Sequence, residues 1–72
     1  MNIGERIRKY RKAIGYTQKE LAEKSGVATV SVQQYERGIR QPRLEQLRRI
    51  ASALGVEWTE LVPENQQGQT VV

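Results

Sequence analysis

Between Ala28 and Tyr35 no residue carries a charge, in a chain where 28% of residues do. The stretch holds Thr29, Val30, Gln33 and Gln34. A glutamine amide sets a donor beside an acceptor, threonine adds a hydroxyl, and both threonine and valine offer methyl groups. None of this breaks bonds. It is recognition chemistry: an amide pairs with two atoms of an adenine edge, and a methyl packs on the thymine methyl of the major groove. A solvated helix face would more commonly carry Lys and Glu. A polar helix that touches nothing, or one that meets a protein partner, has the same inventory.

The rest of the chain offers little catalytic chemistry. There is no Cys and no His among the 72 residues. That removes disulfides, thiol nucleophiles, His-based triads and nearly every zinc or haem site. Glu57, Glu60 and Glu64 could loosely hold a cation, but a solvated acidic face accounts for them more simply. We therefore expect no catalytic residue, no metal ligand and no cofactor. The length suits one domain. No apolar run is long enough to span a membrane and no signal-peptide core opens the chain, so a soluble, cytoplasmic protein is expected.

Charge is unevenly spread. The net charge is +4. Residues 1–16 contribute +4 through Arg6, Arg8, Lys9, Arg11 and Lys12 against Glu5. Residues 17–38 balance, residues 39–55 contribute +3, and the remainder −3. Two basic segments thus flank a neutral centre, a pattern that suits a phosphate-facing surface. Mild basicity is also ordinary for a small soluble domain.

The elements that must position the neutral stretch are helical. Asn2 with Glu5, and Thr17 with Glu20, have capping-box spacing, so helices should begin near residues 3 and 18. Gly15, Gly26, Gly38 and Gly55 each follow a segment of helical character. Ile3, Ile7, Tyr10 and Ile14 form one apolar stripe, and Leu44, Leu47, Ile50, Ala51 and Leu54 a longer one. Short helices at 18–25 and 28–36 should meet at Ser25-Gly26-Val27. Val32 and Tyr35 then face the core while Thr29, Val30, Gln33 and Gln34 face outward. Trp58, Leu61 and Val62 suggest a short fifth helix. From Pro63 the sequence is polar and without period. We expect an all-α domain over residues 1–62 and a disordered tail over 63–72.

The segments TQKELAEKSGVATVSVQQYERG, QPRLEQLRRIASALGV and EWTEL together resemble the phage-repressor and Cro-type helix-turn-helix family, the xenobiotic-response-element-like regulators. The match runs from Ile3 to about Leu61. It implies a compact five-helix bundle of the lambda-repressor type, acting as a transcriptional regulator, with the helix at 28–36 in the major groove of double-stranded DNA. The family's base-reading positions fall on Thr29, Val30 and Gln34, with Gln33 and Ser31 close by for base or backbone contact. Gln18 matches the glutamine that opens the preceding helix and holds a phosphate. Arg37, Gly38 and Ile39 would approach a phosphate from the following loop, and Arg40 and Arg43 would extend that contact. Arg11 and Glu36 match a partly buried ion pair between the first and third helices.

The sequence departs from that pattern at three helix starts. Ala28 and Arg43 stand where hydroxyl caps are usual, and Glu57 replaces a serine. One such domain reads few base pairs, so a homodimer on a palindromic operator is expected, with the fifth helix as a possible interface. The same resemblance also covers restriction-modification controllers, antitoxins with a toxin partner, and interaction modules that have lost DNA binding.

Overall fold

The computed structural model describes residues 1–63. The expected disordered tail, apart from Pro63, lies outside them. Four α-helices come first: α1 (Ile3–Ile14), α2 (Gln18–Ser25), α3 (Thr29–Arg37) and α4 (Leu44–Leu54). A 3-10 turn, Trp58–Leu61, follows. Among the described residues there is no strand.

Local chemistry sets the first two helix starts. Glu5 N–H donates to Asn2 Oδ1 at 2.8 Å, and Asn2 N–H to Glu5 Oε1 at 3.0 Å. Thr17 and Glu20 form the same reciprocal pair at 3.0 and 2.8 Å. Each box satisfies donors that a helix start otherwise leaves without partners. The third and fourth helices have no such device. Ala28 and Arg43 occupy their cap positions with no side-chain hydrogen bond. With no cap to mark it, α3 begins one residue later than its apolar spacing suggests, and ends at Arg37.

The fifth element is not an α-helix. Its four residues form a single 3-10 turn, with Glu57 supplying no side-chain cap. Pro63 follows one residue later, and the residue before a proline is pushed out of the α region. Val62 is accordingly extended, at φ −101° and ψ 125°. Arg6 and Tyr10 hold the turn against α1: Arg6 Nη1 donates to the Glu60 carbonyl at 3.0 Å, and the Tyr10 hydroxyl to Glu60 Oε1 at 3.2 Å.

Every element feeds one core. Ile3, Ile7, Leu21, Val32, Tyr35, Leu47, Ile50, Leu54 and Leu61 are all buried in it, with Trp58 partly buried against them. Two residues of the apolar stripes do not join. Ile14 is 45% exposed and Leu44 48% exposed. Both sit at a helix end, the last residue of α1 and the first of α4. Periodicity assigns a face but not how far along a helix its neighbours reach. On α1 the place one turn past Ile7 belongs instead to Arg11, which is buried.

Candidate nucleic-acid interface

The turn between α2 and α3 is locked by its own backbone. Gly26 adopts φ 75°, a conformation that costs glycine nothing. Its N–H and that of Val27 both donate to the Ala22 carbonyl, at 2.9 and 3.2 Å. The buried Ser25 hydroxyl donates to the same carbonyl at 3.3 Å. Val27 is buried below the turn. These constraints fix the angle at which α3 leaves α2.

The inner face of α3 is Val32 and Tyr35, both in the core. Its outer face is centred on Val30, which is 56% exposed. Gln33 and Arg37, successive turns of the same face, are exposed as well. Thr29, Ser31 and Gln34 flank this strip and are half-buried. The outward strip is therefore uncharged until Arg37. Gly38 caps the helix in the left-handed conformation, and Ile39, Arg40 and Arg43 follow, all exposed.

One flank of α3 is closed by charge. Arg11 Nε and Nη2 donate to the two carboxylate oxygens of Glu36 at 2.7 and 3.0 Å. The two side chains are only 9% and 3% exposed. Arg11 Nη1 also donates to the Tyr16 carbonyl at 2.7 Å, so α1, the α1–α2 loop and α3 share one guanidinium. Gln18 joins the same cluster, its Nε2 donating to Glu36 Oε1 at 3.0 Å. The Gln18 side chain is thus drawn sideways onto Glu36 rather than held outward for a phosphate alone. Its amide nitrogen carries two hydrogens, and Glu36 takes one.

Gly4 lies against the same flank, a residue that sequence spacing did not single out. A Cβ there would collide with the Tyr35 carbonyl oxygen and crowd the Tyr35 and Glu36 carbonyl carbons. The α1 and α3 backbones therefore touch directly. No periodicity signals this, because glycine has no side chain to count.

The other flank is open. A groove of about 650 Å³ runs between the start of α3 and the start of α4, lined in part by Ala28, Ser31, Arg40, Arg43, Gln46 and Arg49. Arg40 Nη1 donates to Gln34 Oε1 at 3.1 Å. Arg49 pairs with Glu45 at 3.0 Å across one exposed turn of α4. Arg49 was visible in the sequence only as one more cation of a basic segment, and the fold places it with Arg43 in the lining of this groove. Among the described residues no group of three or more acidic side chains could hold a metal ion, and the Glu60 carboxylate accepts from the Tyr10 hydroxyl. No helix of the described residues is long and apolar enough to cross a membrane.

Residues 7–61 match the HTH_3 family model, described as helix-turn-helix. The chain belongs to the helix-turn-helix family. Among relatives, the cryptic phage CTXphi transcriptional repressor RstR of Vibrio cholerae is 41% identical over 61 residues, 85% of this chain and 54% of the repressor. The chain thus spans little more than half the length of that relative. The N-terminal DNA-binding domain of SinR from Bacillus subtilis superposes with a TM-score of 0.82 at 40% identity, covering 86% of this chain and 91% of that domain. The P22 c2 repressor, solved with a synthetic operator, superposes with a TM-score of 0.81 at 34% identity, covering 86% and 94% of the two chains. In this helix-turn-helix domain the paired helices are α2 and α3, joined at Gly26. The open flank is the one α3 shares with the α3–α4 loop and the start of α4.

Proposed function

We propose that this domain is a sequence-specific DNA-binding module of a transcriptional regulator, a repressor, with α3 seated in the major groove. The observation that carries this is the composition of the outward strip of α3. Val30, Gln33 and Gln34, with Thr29 at the helix start, form an uncharged face. Arg37, Arg40 and Arg43 stand exposed just beyond it. Uncharged amides and methyls suit base edges, and cations at the margin suit phosphates. The likeness to the RstR repressor and to an operator-bound P22 c2 repressor supports the same reading.

Roles divide accordingly. Thr29, Val30, Gln33 and Gln34 read bases. Ser31, Arg37, the Gly38 backbone and Arg43 contact phosphates, as does Gln18 with the hydrogen that Glu36 leaves over. Arg11 and Glu36 orient α3 without touching DNA. The function needs no cofactor and no catalysis, and its setting is the cytoplasm. Because one domain reads few base pairs, two copies bind a palindromic operator with half-sites roughly 34–36 Å apart. Promoter occupancy then excludes polymerase.

Selection of bound sequences from random duplex DNA tests the whole reading. A palindromic consensus with half-sites one helical turn apart is expected, and sedimentation of the selected complex should show two chains per duplex. One chain per duplex would remove the dimer. Absence of any salt-dependent binding would remove the regulator and leave a protein-interaction module, and co-purification of a toxin would point to an antitoxin.

A further inference from the structure

Arg40 is tied to the end of α3 at three points, two of them on Gln34. The N–H groups of Ile39 and Arg40 both donate to the Gln34 carbonyl, at 3.0 and 3.4 Å, so the chain folds back over the end of α3. The Arg40 guanidinium lies over the ring of Tyr35, 5.7 Å from its centroid, and Tyr35 is fixed in the core. Arg40 Nη1 then donates to Gln34 Oε1 at 3.1 Å. The arginine is held by backbone and by ring before it meets the amide.

The chemistry of that contact is one-sided. A guanidinium has five donors and no acceptor, so only the oxygen of the Gln34 amide can face it. The amide nitrogen must point the other way. An unheld glutamine turns its amide over freely, exchanging donor and acceptor. Its nitrogen can then donate to N7 of either purine or to O6 of guanine, and its oxygen can accept from N6 of adenine, according to which is turned toward the edge. A held glutamine cannot make that exchange. In water an exposed hydrogen bond of this kind contributes little, but a groove that excludes water strengthens it.

Resting on the reading of α3 as the base-reading helix, we infer that Arg40 is a positioning residue for sequence specificity. It fixes the orientation of the Gln34 amide and thereby decides which base pairs are accepted at one position of the site. This differs from the phosphate contact that the family resemblance implies for Arg40. A phosphate contact strengthens every duplex alike, whereas an orienting contact acts at one base pair only.

The test uses the whole 72-residue chain and a panel of duplexes carrying all four base pairs at each position of the selected site. Arg40→Ala should cut discrimination at the one pair read by Gln34 by at least about five-fold, the smaller end of what a good bidentate contact provides, and leave ratios elsewhere unchanged. Adding Arg40→Ala to Gln34→Ala should remove no further discrimination. Arg40→Lys keeps a donor and should restore most of it. Arg40→Ala should stay folded and melt only slightly below the parent, since it loses exposed contacts to Tyr35 and Gln34 and nothing from the core. If Arg40→Ala instead weakens all duplexes equally and flattens the plot of log K against log salt by about one, Arg40 is a phosphate contact and the inference is overturned. If Gln34→Ala leaves every base preference intact, α3 is not reading through that residue. The role of Arg40 then falls together with the reading beneath it.

Discussion

Along the flank of α3 facing α1 and α2, backbone touches backbone at Gly4 and a bidentate Arg11–Glu36 pair is shut from solvent. Along the flank facing α4, an open groove of about 650 Å³ separates two helix starts that lack side-chain caps. The first flank uses its polar groups on the protein itself. The second leaves two helix starts without side-chain caps and lines the groove with Arg40, Arg43 and Arg49, all exposed, where a partner would lie. The contrast teaches a division of labour within one small domain: the sealed flank sets where α3 stands, and the open flank meets what α3 is pointed at. Substitutions on the sealed side should therefore act through stability, and those on the open side mainly through binding.

The largest effect is expected at Gly4. An alanine there would meet backbone atoms of α3, which cannot swing aside as a side chain does. Overpacking usually costs about 1–3 kcal/mol. Here the two helices must also separate, which pulls Arg11 away from Glu36 and adds much of that pair's contribution. A domain of this size has a total stability of only about 4–11 kcal/mol. Gly4→Ala should leave the chain largely unfolded at 25 °C by circular dichroism. Normal melting of that variant would show that the two backbones are not in contact, and the sealed flank would lose its main support.

Second comes the ion pair. Arg11→Ala strands Glu36 among buried groups and should lower stability by about 3–5 kcal/mol in urea titration. Replacing both partners with apolar side chains, Arg11→Met with Glu36→Leu, should recover most of that loss, since burying two charges is itself costly. The double variant still lacks the acceptor for Gln18, so a residual weakening of DNA binding should survive the recovery of stability. Full recovery of both would mean that Gln18 needs no anchor.

How much of this contrast could be read from the chain differs between the flanks. The capping boxes at Asn2 and Thr17 were legible because the partners lie three residues apart, within reach of spacing alone. Val32 and Tyr35 were legible as an inward face by the same logic. Arg11 and Glu36 were legible only through the family resemblance, because no local pattern links residues 25 positions apart. Gly4, the Gln18–Glu36 bond and the Gln34–Arg40 bond were not legible. Each depends on how two elements are brought together, and a residue's type does not say whom it will meet. The short fifth element is present, but as a 3-10 turn, for a related reason: its apolar residues are real core residues, but four positions before a proline cannot sustain an α-helix.

On the open side, Ala28→Ser adds the hydroxyl that the start of α3 lacks. It should stabilise the domain by about 1 kcal/mol, the usual value of such a cap. The same hydroxyl would compete for a first-turn backbone N–H that a phosphate could otherwise take. A thermal melt should rise while affinity for the selected duplex holds or falls. A rise in both would mean that the missing cap has nothing to do with binding.

The smallest stability effect belongs to the pair across the first turns of α4. Glu45 and Arg49 are exposed by more than half, and an exposed pair of this spacing contributes about 0.3–0.5 kcal/mol. Glu45→Gln should therefore change the melting curve barely at all. Its effect on DNA should be visible all the same, because among the described residues it removes the only carboxylate that lines a groove also lined by Arg40, Arg43 and Arg49. Titrations at low salt should show tighter binding to specific and random duplexes alike, with the gain fading as salt rises. Unchanged binding at every salt would place that side of the groove away from the DNA. The open flank would then be open to water alone, and the contrast with the sealed flank would be one of packing without function.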